Sequence, residues 1–228
     1  MMRRMPAPAE FPRITKDDLF ARLARGAQAG VCVVTPNRRL ALELEREFDA
    51  RCLAQDLARW EAPDILPLPA FVERCYDDAL HAGGGEALPL LLSDAQAREL
   101  WERVIAESDS GRDLLDRPQT AARALEAWRL AQAWNIAGAL DKFDGGEDAH
   151  AFAEWAHDYA KRLRAGGFVD GAVLPDLLAA RIVRRPRELV AYAFDILTPQ
   201  ARALLVAAGE TVLACAPAPR PATVVRFT

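Results

Sequence analysis

A run of four apolar residues near the start of the chain is followed at once by a tight turn and a long amphipathic helix. The run consists of Val31, Cys32, Val33 and Val34. A continuous, mainly β-branched run is typical of a strand that is buried on both faces of a parallel sheet. Asn37 is a suitable N-cap for the helix, whose apolar face is formed by Leu40, Leu44, Phe48 and Cys52. Strand, turn and helix make half of a βαβ unit, so the sequence predicts a parallel sheet with helices packed on it.

Strand and helix patterns alternate at both ends of the chain, whereas the middle shows helical patterns alone. Further strands are predicted over residues 64–68, 188–194, 211–216 and 223–227. A compact helix between the second and third of these has Thr198 as its cap, Pro199 in its first turn and Gly209 after its end. The chain is therefore predicted to have an α/β fold with a parallel sheet.

The same alternation predicts the domain organisation. Residues 88–183 carry helical periodicity without a convincing strand, so they are predicted to form a large all-helical insertion. Residues 13–87 and 184–228 would then form one discontinuous α/β domain, because the two halves of the sheet should meet in space. Residues 1–12 are rich in proline and alanine and are predicted to be a flexible tail.

A sheet of this kind often carries a phosphate-binding loop, but the sequence lacks the motif for one. The Walker A motif requires glycine, lysine and then Ser or Thr. Lys16, Lys142 and Lys161 are the lysines of the chain, and none is followed by Ser or Thr. No Gly-x-Gly-x-x-Gly motif follows a strand, so a dinucleotide site is not supported either. We expect a degenerate nucleotide site, no ATP hydrolysis and no bound cofactor.

The strand predicted at 188–194 is followed by Asp195, which gives it the form of a Walker B strand. In that motif the aspartate meets Mg²⁺ and the next residue, usually Glu, polarises water. Ile196 occupies the second position here. Asp195 is thus either a degenerate Walker B-like residue or a carboxylate that caps a turn.

The sequence contains no pattern that identifies an enzyme site or a metal site. The cysteines lie far apart without CxxC spacing, and they are predicted to be buried, reduced thiols. His150 and His157 share part of a helix face, but their spacing is not one used by zinc sites. No Gly-x-Ser-x-Gly elbow is present. We therefore predict no catalytic residue and no metal ligand.

Arginine is the residue type that points to binding. Of the 29 basic residues three are lysines, which leaves 26 arginines, but 33 acidic residues give the chain a net charge of -4. This acidity excludes a histone-like mode of binding and leaves only local clusters. The candidate nucleic-acid-binding residues are Asn37, Arg38 and Arg39, directly after the first strand, and Arg184 and Arg185.

Each cluster has a simpler alternative. Arg39 is four residues from Glu43 and can form an ion pair with it on a solvated helix face. Arg184 and Arg185 lie in the basic stretch 181–187, which can equally be a solvated linker into the next strand.

Several short segments, taken in order along residues 31–205, resemble a known family. They are Val33-Val34-Thr35-Pro36-Asn37-Arg38-Arg39-Leu40, Leu91-Leu92-Ser93 with Gln96 and Trp101-Glu102, Ala127-Trp128 with Trp134, Phe152 with Trp155 and Tyr159, Asp170 with Leu174-Pro175-Asp176-Leu177-Leu178, and Phe194-Asp195 with Leu197-Thr198-Pro199-Gln200. The pattern is similar to proteobacterial DNA repair proteins of the AddB/RecB-like exonuclease family. That family commonly has Gly before the Phe-Asp pair and Glu after it, where this chain has Ala193 and Ile196.

The resemblance implies a P-loop-NTPase-like, superfamily 1 helicase-like domain that has lost its ATP site. It implies a cytoplasmic DNA repair protein that binds DNA, single-stranded or forked, or docks on a partner nuclease or helicase subunit. In the family a PD-(D/E)XK nuclease domain follows further along, so exonuclease activity would belong to the longer protein and this chain is expected to be a fragment. No apolar run approaches the roughly 20 residues of a membrane span, so no membrane partner is expected.

An interaction module without nucleic-acid binding is the alternative. The predicted insertion contains four tryptophans, Trp101, Trp128, Trp134 and Trp155. Exposed together, they would mark an interface with another chain. They also recur at helical spacing among apolar neighbours, which favours burial in the core of the insertion.

Overall fold

The computed structural model describes residues 10–82, 87–112, 114–142 and 145–217. Its strands are β1 (Arg13–Ile14), β2 (Val31–Thr35), β3 (Ile65–Pro67), β4 (Leu90–Leu91), β5 (Phe168–Val169), β6 (Glu188–Tyr192) and β7 (Thr211–Cys215). Its α-helices are α1 (Lys16–Leu23), α2 (Arg38–Ala54), α3 (Leu68–His81), α4 (Asp94–Glu107), α5 (Arg117–Ala133), α6 (Gly146–Ala165), α7 (Leu174–Ala179) and α8 (Pro199–Ala208). Short 3₁₀ helices follow α1 and α5, at Ala27–Ala29 and Ala137–Lys142.

The described residues divide into two compact units. One, here called the α/β unit, comprises residues 10–73, 185–196 and 208–217. The other, the helical unit, comprises residues 74–184 and 197–207. The structure is thus of the α/β class with a parallel sheet, as the sequence predicts.

The sheet of the α/β unit has five parallel strands in the order β1-β7-β6-β2-β3. Val34 is aligned with Ala191 of β6 and Leu66 of β3, so β2 lies between two paired neighbours. The central strands are buried on both faces, which explains the unbroken apolar runs of β2 and β6. One face packs on α1 and α2 through a core of Leu19, Phe20, Leu23, Val33, Ala41, Leu44, Phe48, Cys52, Ile65, Val190, Tyr192, Leu213 and Cys215.

Side-chain caps fix where the helices begin. The Oγ1 atom of Thr15 accepts from the backbone N–H of Asp18, and the Asp18 carboxylate accepts from the backbone N–H of Thr15, which completes a capping box at α1. Asn37 caps α2, as predicted, because its Oδ1 accepts from the backbone N–H of Leu40 at 3.0 Å. Ser93 and Gln96 form a second capping box at α4. These polar residues position the helices at the ends of the strands.

Three short strands depart from the predictions. Arg13–Ile14 pairs with β7 although residues 13 and 14 carry no strand pattern, and the N–H of Ala214 also donates to the carbonyl of Pro12. β4 and β5 form a parallel two-stranded ladder inside the region predicted to be all-helical, so that prediction was wrong in this detail. Two residues are too few to show a period of two, which is why these strands escape sequence reasoning. The predicted strand at 223–227 lies outside the described residues.

The helical unit has an aromatic core. Trp101 is fully buried and stacks on Tyr159, with ring centroids 4.4 Å apart, while Trp128 packs edge-on to both rings. Trp155 is also buried, and its Nε1 donates to Ser108 Oγ at 2.8 Å. Burial is therefore confirmed for three of the four tryptophans in question, whereas Trp134 is 46% exposed.

A buried carboxylate joins the parts of this core. Asp170 is 1% exposed and accepts four hydrogen bonds. Its Oδ2 accepts from Trp128 Nε1 at 3.0 Å and from the Tyr159 hydroxyl at 2.9 Å. Its Oδ1 accepts from the backbone N–H groups of Ala172 and Val173. One side chain thus links α5, α6 and the turn that leads into α7 and satisfies all four of these donors.

The cysteines are free and buried, as predicted. Burial raises the pKa of the Cys75 thiol to about 11. Among the described residues, none of the helices combines the length and the apolar character that crossing a bilayer requires.

Candidate nucleic-acid interface

The order of the strands creates a switch point between β2 and β6. From β2 the chain passes through α2 to β3 on one side of the sheet, whereas from β6 it passes through α8 to β7 on the other side. In open α/β sheets, ligands bind outside the carboxyl ends of the strands at such a point. Asn37, Arg38 and Arg39 follow β2, and Asp195 follows β6. Because β2 and β6 are parallel neighbours, the fold brings these predicted residues to one edge of the sheet.

The turn at this edge is shorter than a Walker A loop. Only Pro36 and Asn37 separate the end of β2 from the start of α2. A Walker A loop needs the eight residues of Gly-x-x-x-x-Gly-Lys-Ser/Thr, whose backbone N–H groups surround the phosphates. Thr35 is fully buried, and its hydroxyl donates to the carbonyl of Asn37 at 2.9 Å, which closes the turn. The turn therefore has neither the length nor the lysine of a Walker A loop.

Arg38 and Arg39 lie in the first turn of α2 and are exposed to solvent. The predicted ion pair of Arg39 with Glu43 is absent from the structure, because no carboxylate among the described residues lies within 4.0 Å of either guanidinium. The prediction rested on the four-residue spacing, which allows contact on a helix. An ion pair at that spacing stabilises the helix by only a few tenths of a kcal/mol, too little to ensure that it forms. Both guanidinium groups are thus available to an external anion. The N-terminal end of the helix adds a favourable partial charge.

The backbone after β6 is strained. Ala193 has φ of 58°, in the left-handed region that residues with a β-carbon rarely adopt. Its N–H donates to the carbonyl of Cys215 at 2.9 Å, which holds it beside the end of β7. The strained residue directly precedes Phe194 and Asp195, so it determines the direction in which the chain leaves the sheet at the switch point.

Asp195 is exposed, and within the described chain its carboxylate makes no hydrogen bond and no ion pair. It therefore does not cap a turn, which had been the simpler alternative. The following residue is Ile196, which is 68% exposed, so the position directly after Asp195 carries no second acidic group. One unpartnered carboxylate lacks the ligands that a divalent cation requires.

The second arginine cluster does not join the first. Arg185 precedes β6, at the edge of the α/β unit where the strands begin, whereas Arg38 and Arg39 follow the carboxyl end of β2. A strand of five residues places the two edges roughly 16 Å apart. Arg184 belongs to the helical unit, where its Nε lies 3.8 Å from Asp78 Oδ1. Of the four candidates in the α/β unit, Asn37, Arg38 and Arg39 share the switch-point edge and Arg185 lies at the opposite edge.

A lysine that sequence reasoning set aside lies near the carboxyl ends of the strands. Lys16 forms an ion pair with Glu47, and its Nζ lies 5.7 Å from the centre of the Tyr192 ring. Burial lowers the pKa of Lys16, but hydrogen bonds to Glu47 and Tyr192 outweigh it and raise the pKa above its ordinary value. The charge of this lysine is thus engaged within the fold. Lys16 follows β1 by two residues, and this was the only sequence feature that could indicate its position near the carboxyl ends of the strands.

The described part of the chain contains no group of three or more His, Cys, Asp or Glu side chains that could hold a metal ion. Comparison with protein-family models and with curated proteins finds no match for this sequence.

Proposed function

We propose that this chain is a catalytically inert, helicase-like scaffold that contributes DNA binding to a DNA repair protein of the helicase/exonuclease type. The observation that supports this most is the switch point itself. The crevice that holds nucleotides in related architectures here has a two-residue turn, a side-chain cap and two exposed arginines that pair with no carboxylate of the described chain. We infer that these groups favour an anion without a bound nucleotide and metal ion.

A phosphodiester is the anion that fits these groups best. Arginine presents a planar fork of N–H donors that matches phosphate oxygens, and a helix N-terminus favours negative charge. Arg38 and Arg39 are adjacent, so each can contact a different phosphate of one strand. The net charge of -4 restricts binding to this local surface. Single-stranded or forked DNA is the proposed partner, with a nuclease or helicase subunit completing a cytoplasmic assembly whose longer chain would supply the exonuclease.

Fluorescence anisotropy with single-stranded and forked oligonucleotides tests this proposal. Each lost phosphate contact on a single strand should change the slope of log affinity against log salt by about 0.7. The double substitution Arg38→Gln/Arg39→Gln should therefore reduce the slope by about 1.4 and weaken binding at low salt at least tenfold. Arg98→Gln/Arg123→Gln is the matched control, since both arginines are exposed, lie on helices of the other unit and have no ion pair within the described chain.

Two results would contradict the proposal. In one, the unsubstituted chain shows no affinity for DNA at low salt. In the other, the Arg38/Arg39 variant and the Arg98/Arg123 variant lose affinity equally, which would mean that only the overall charge matters.

A second candidate function is a protein-interaction module, and one exposed apolar surface favours it. Leu130 and Trp134 lie one turn apart at the end of α5 and are 61% and 46% exposed, and Ile136 beyond them is 39% exposed. Apolar groups at this density on a surface are typical of an interface. Quenching of tryptophan fluorescence by acrylamide should reach Trp134 but not Trp101. Protection of Trp134 when the chain is mixed with a candidate subunit would support this function, and unchanged quenching would count against it.

A further inference from the structure

A shallow cavity of about 400 Å³ lies at the edge of the α/β unit where β2 and β6 begin. It is opposite the switch-point edge and separate from the residues discussed above. It is lined by Arg22 in the last turn of α1, Arg25 just after that helix and Gln28 of the 3₁₀ helix. Glu188 at the start of β6 and Arg187 directly before it complete the charged lining. Three arginines from two distant parts of the chain thus surround one concave site.

The charges of this cavity are not balanced. Arg22 forms an ion pair with Glu188, so those two charges offset each other. Arg25 and Arg187 are exposed. Neither guanidinium has a carboxylate of the described chain within 4.0 Å. Glu188 is the one carboxylate among the described lining residues. The described lining residues therefore carry a net excess of two positive charges in a chain that is acidic overall. The Glu61 carboxylate, which accepts from the backbone N–H of Ala27, is not among them.

The backbone holds one of these arginines in place. Gly30 has φ of 65°, and a β-carbon there would lie 3.2 Å from Cγ of Arg187. The aliphatic stem of Arg187 therefore packs directly against Gly30, a contact that a larger residue would disturb. Glu188 is aligned with Val31 across the β2–β6 pair, which fixes the residue next to Arg187 to the sheet. A side chain restrained in this way loses less entropy when it binds a ligand.

We propose that this cavity binds a phosphate group. Arg25 and Arg187 would each donate charge-assisted hydrogen bonds to its oxygens, and the amide of Gln28 would add a neutral donor. Arg22 lies beside them, but its charge is engaged by Glu188. The site is independent of the switch-point edge, so it does not rest on the DNA-binding role proposed for Arg38 and Arg39. The phosphate group can come from a small phosphorylated molecule or from the backbone of a nucleic acid.

Isothermal titration of the chain with pyrophosphate at low salt tests the site directly. The unsubstituted chain should bind, and the Arg38→Gln/Arg39→Gln chain, in which the other anion-binding surface is removed, should bind with a one-to-one stoichiometry. Arg25→Gln/Arg187→Gln should weaken binding at least tenfold, because two charge-assisted contacts are removed, whereas Arg98→Gln/Arg123→Gln should change it less than twofold. Glu188→Gln should strengthen binding about two- to fivefold, because it removes the carboxylate that repels the anion and frees Arg22. A purely structural role for these residues would not produce a gain.

The proposal is overturned if pyrophosphate does not bind, if the Arg25/Arg187 variant retains the original affinity, or if Glu188→Gln weakens binding. A parallel titration with a single-stranded oligonucleotide identifies the source of the phosphate group. A tenfold loss in both titrations assigns the site to a nucleic-acid backbone, and a loss with pyrophosphate alone assigns it to a small phosphorylated molecule. The Arg38→Gln/Arg39→Gln variant should bind pyrophosphate normally, so failure of the DNA-binding proposal would leave this site unaffected.

Discussion

Replacing Asp170 by asparagine should destabilise the helical unit more than any other change of a single functional group described here. The carboxylate accepts two hydrogen bonds on each oxygen, from two side chains on one and from two backbone N–H groups on the other. An asparagine of the same shape keeps one acceptor oxygen, but whichever way its amide turns, the NH₂ group faces two donors. Asp170→Asn therefore loses two of the four bonds and leaves their donors unsatisfied.

The magnitude follows from two opposing effects. Hydrogen bonds to a charged acceptor contribute about 1.5–3 kcal/mol each, so the loss of two costs about 3–6 kcal/mol. Asp170 has no ion pair within the described chain, and removing its buried charge recovers part of the cost of desolvation. We expect a net loss of about 2–4 kcal/mol in the free energy of unfolding, close to the range for breaking a buried polar network.

Urea unfolding followed by tryptophan fluorescence measures this loss, because Trp128 is itself bonded to Asp170. Asp176→Asn is the matched control, since its exposed carboxylate accepts a single bond, from Gln200 Nε2 at 2.8 Å. The control should lose less than about 1 kcal/mol. If Asp170→Asn costs no more than Asp176→Asn, the four bonds do not have the role that the geometry gives them.

Three further predictions concern other parts of the chain. Ala193→Gly should stabilise the chain by about 0.5–1 kcal/mol in thermal unfolding, because relief of the left-handed backbone outweighs the entropy that glycine loses; destabilisation would mean that Ala193 is not strained. Burial, and then the charge of Asp170, raises the pKa of Tyr159 above its ordinary value. The neutral Tyr159 hydroxyl therefore contributes fully to the free energy of unfolding below about pH 10, and this contribution is lost as the pH rises toward the folded-state pKa. Tyr159→Phe should therefore flatten the fall of the urea midpoint above pH 10, and an unchanged slope would contradict this. ATP with Mg²⁺ should leave the melting temperature unchanged, because the two-residue turn cannot surround phosphates; stabilisation of several degrees would refute the turn argument.

The sequence predicted the elements whose local residues determine them. Asn37 and Thr198 have the side-chain chemistry of helix caps, and the structure places each directly before a helix. The strand after residue 30 was evident because its residues are buried on both faces, which leaves an unbroken apolar run. In each case the cause lies within a few residues along the chain, so a single sequence is enough.

The arrangement of the candidate site depends on which distant strands pair, and this cannot be predicted from local sequence patterns. Arg39 follows β2 and Arg185 precedes β6, and because these two strands pair in parallel, the two arginines lie at opposite edges of the sheet. The cavity formed by Arg25 and Arg187 was missed for the same reason, because residues 31 and 188 become neighbours only when β2 pairs with β6. Trp134 shares its spacing with the buried tryptophans, and only its position near the end of α5 distinguishes it.

The pairing of β2 with β6 also has a consequence for the order of folding. Val31 and Glu188 are aligned, although roughly 160 residues separate them, and closing a loop of that length costs about 4–5 kcal/mol of chain entropy before any contact forms. The helices between them contact one another over much shorter separations and can assemble first. Once these helices have assembled, we expect the loop between the two halves of the sheet to be effectively shorter. The pairing of β2 with β6 would then cost less chain entropy.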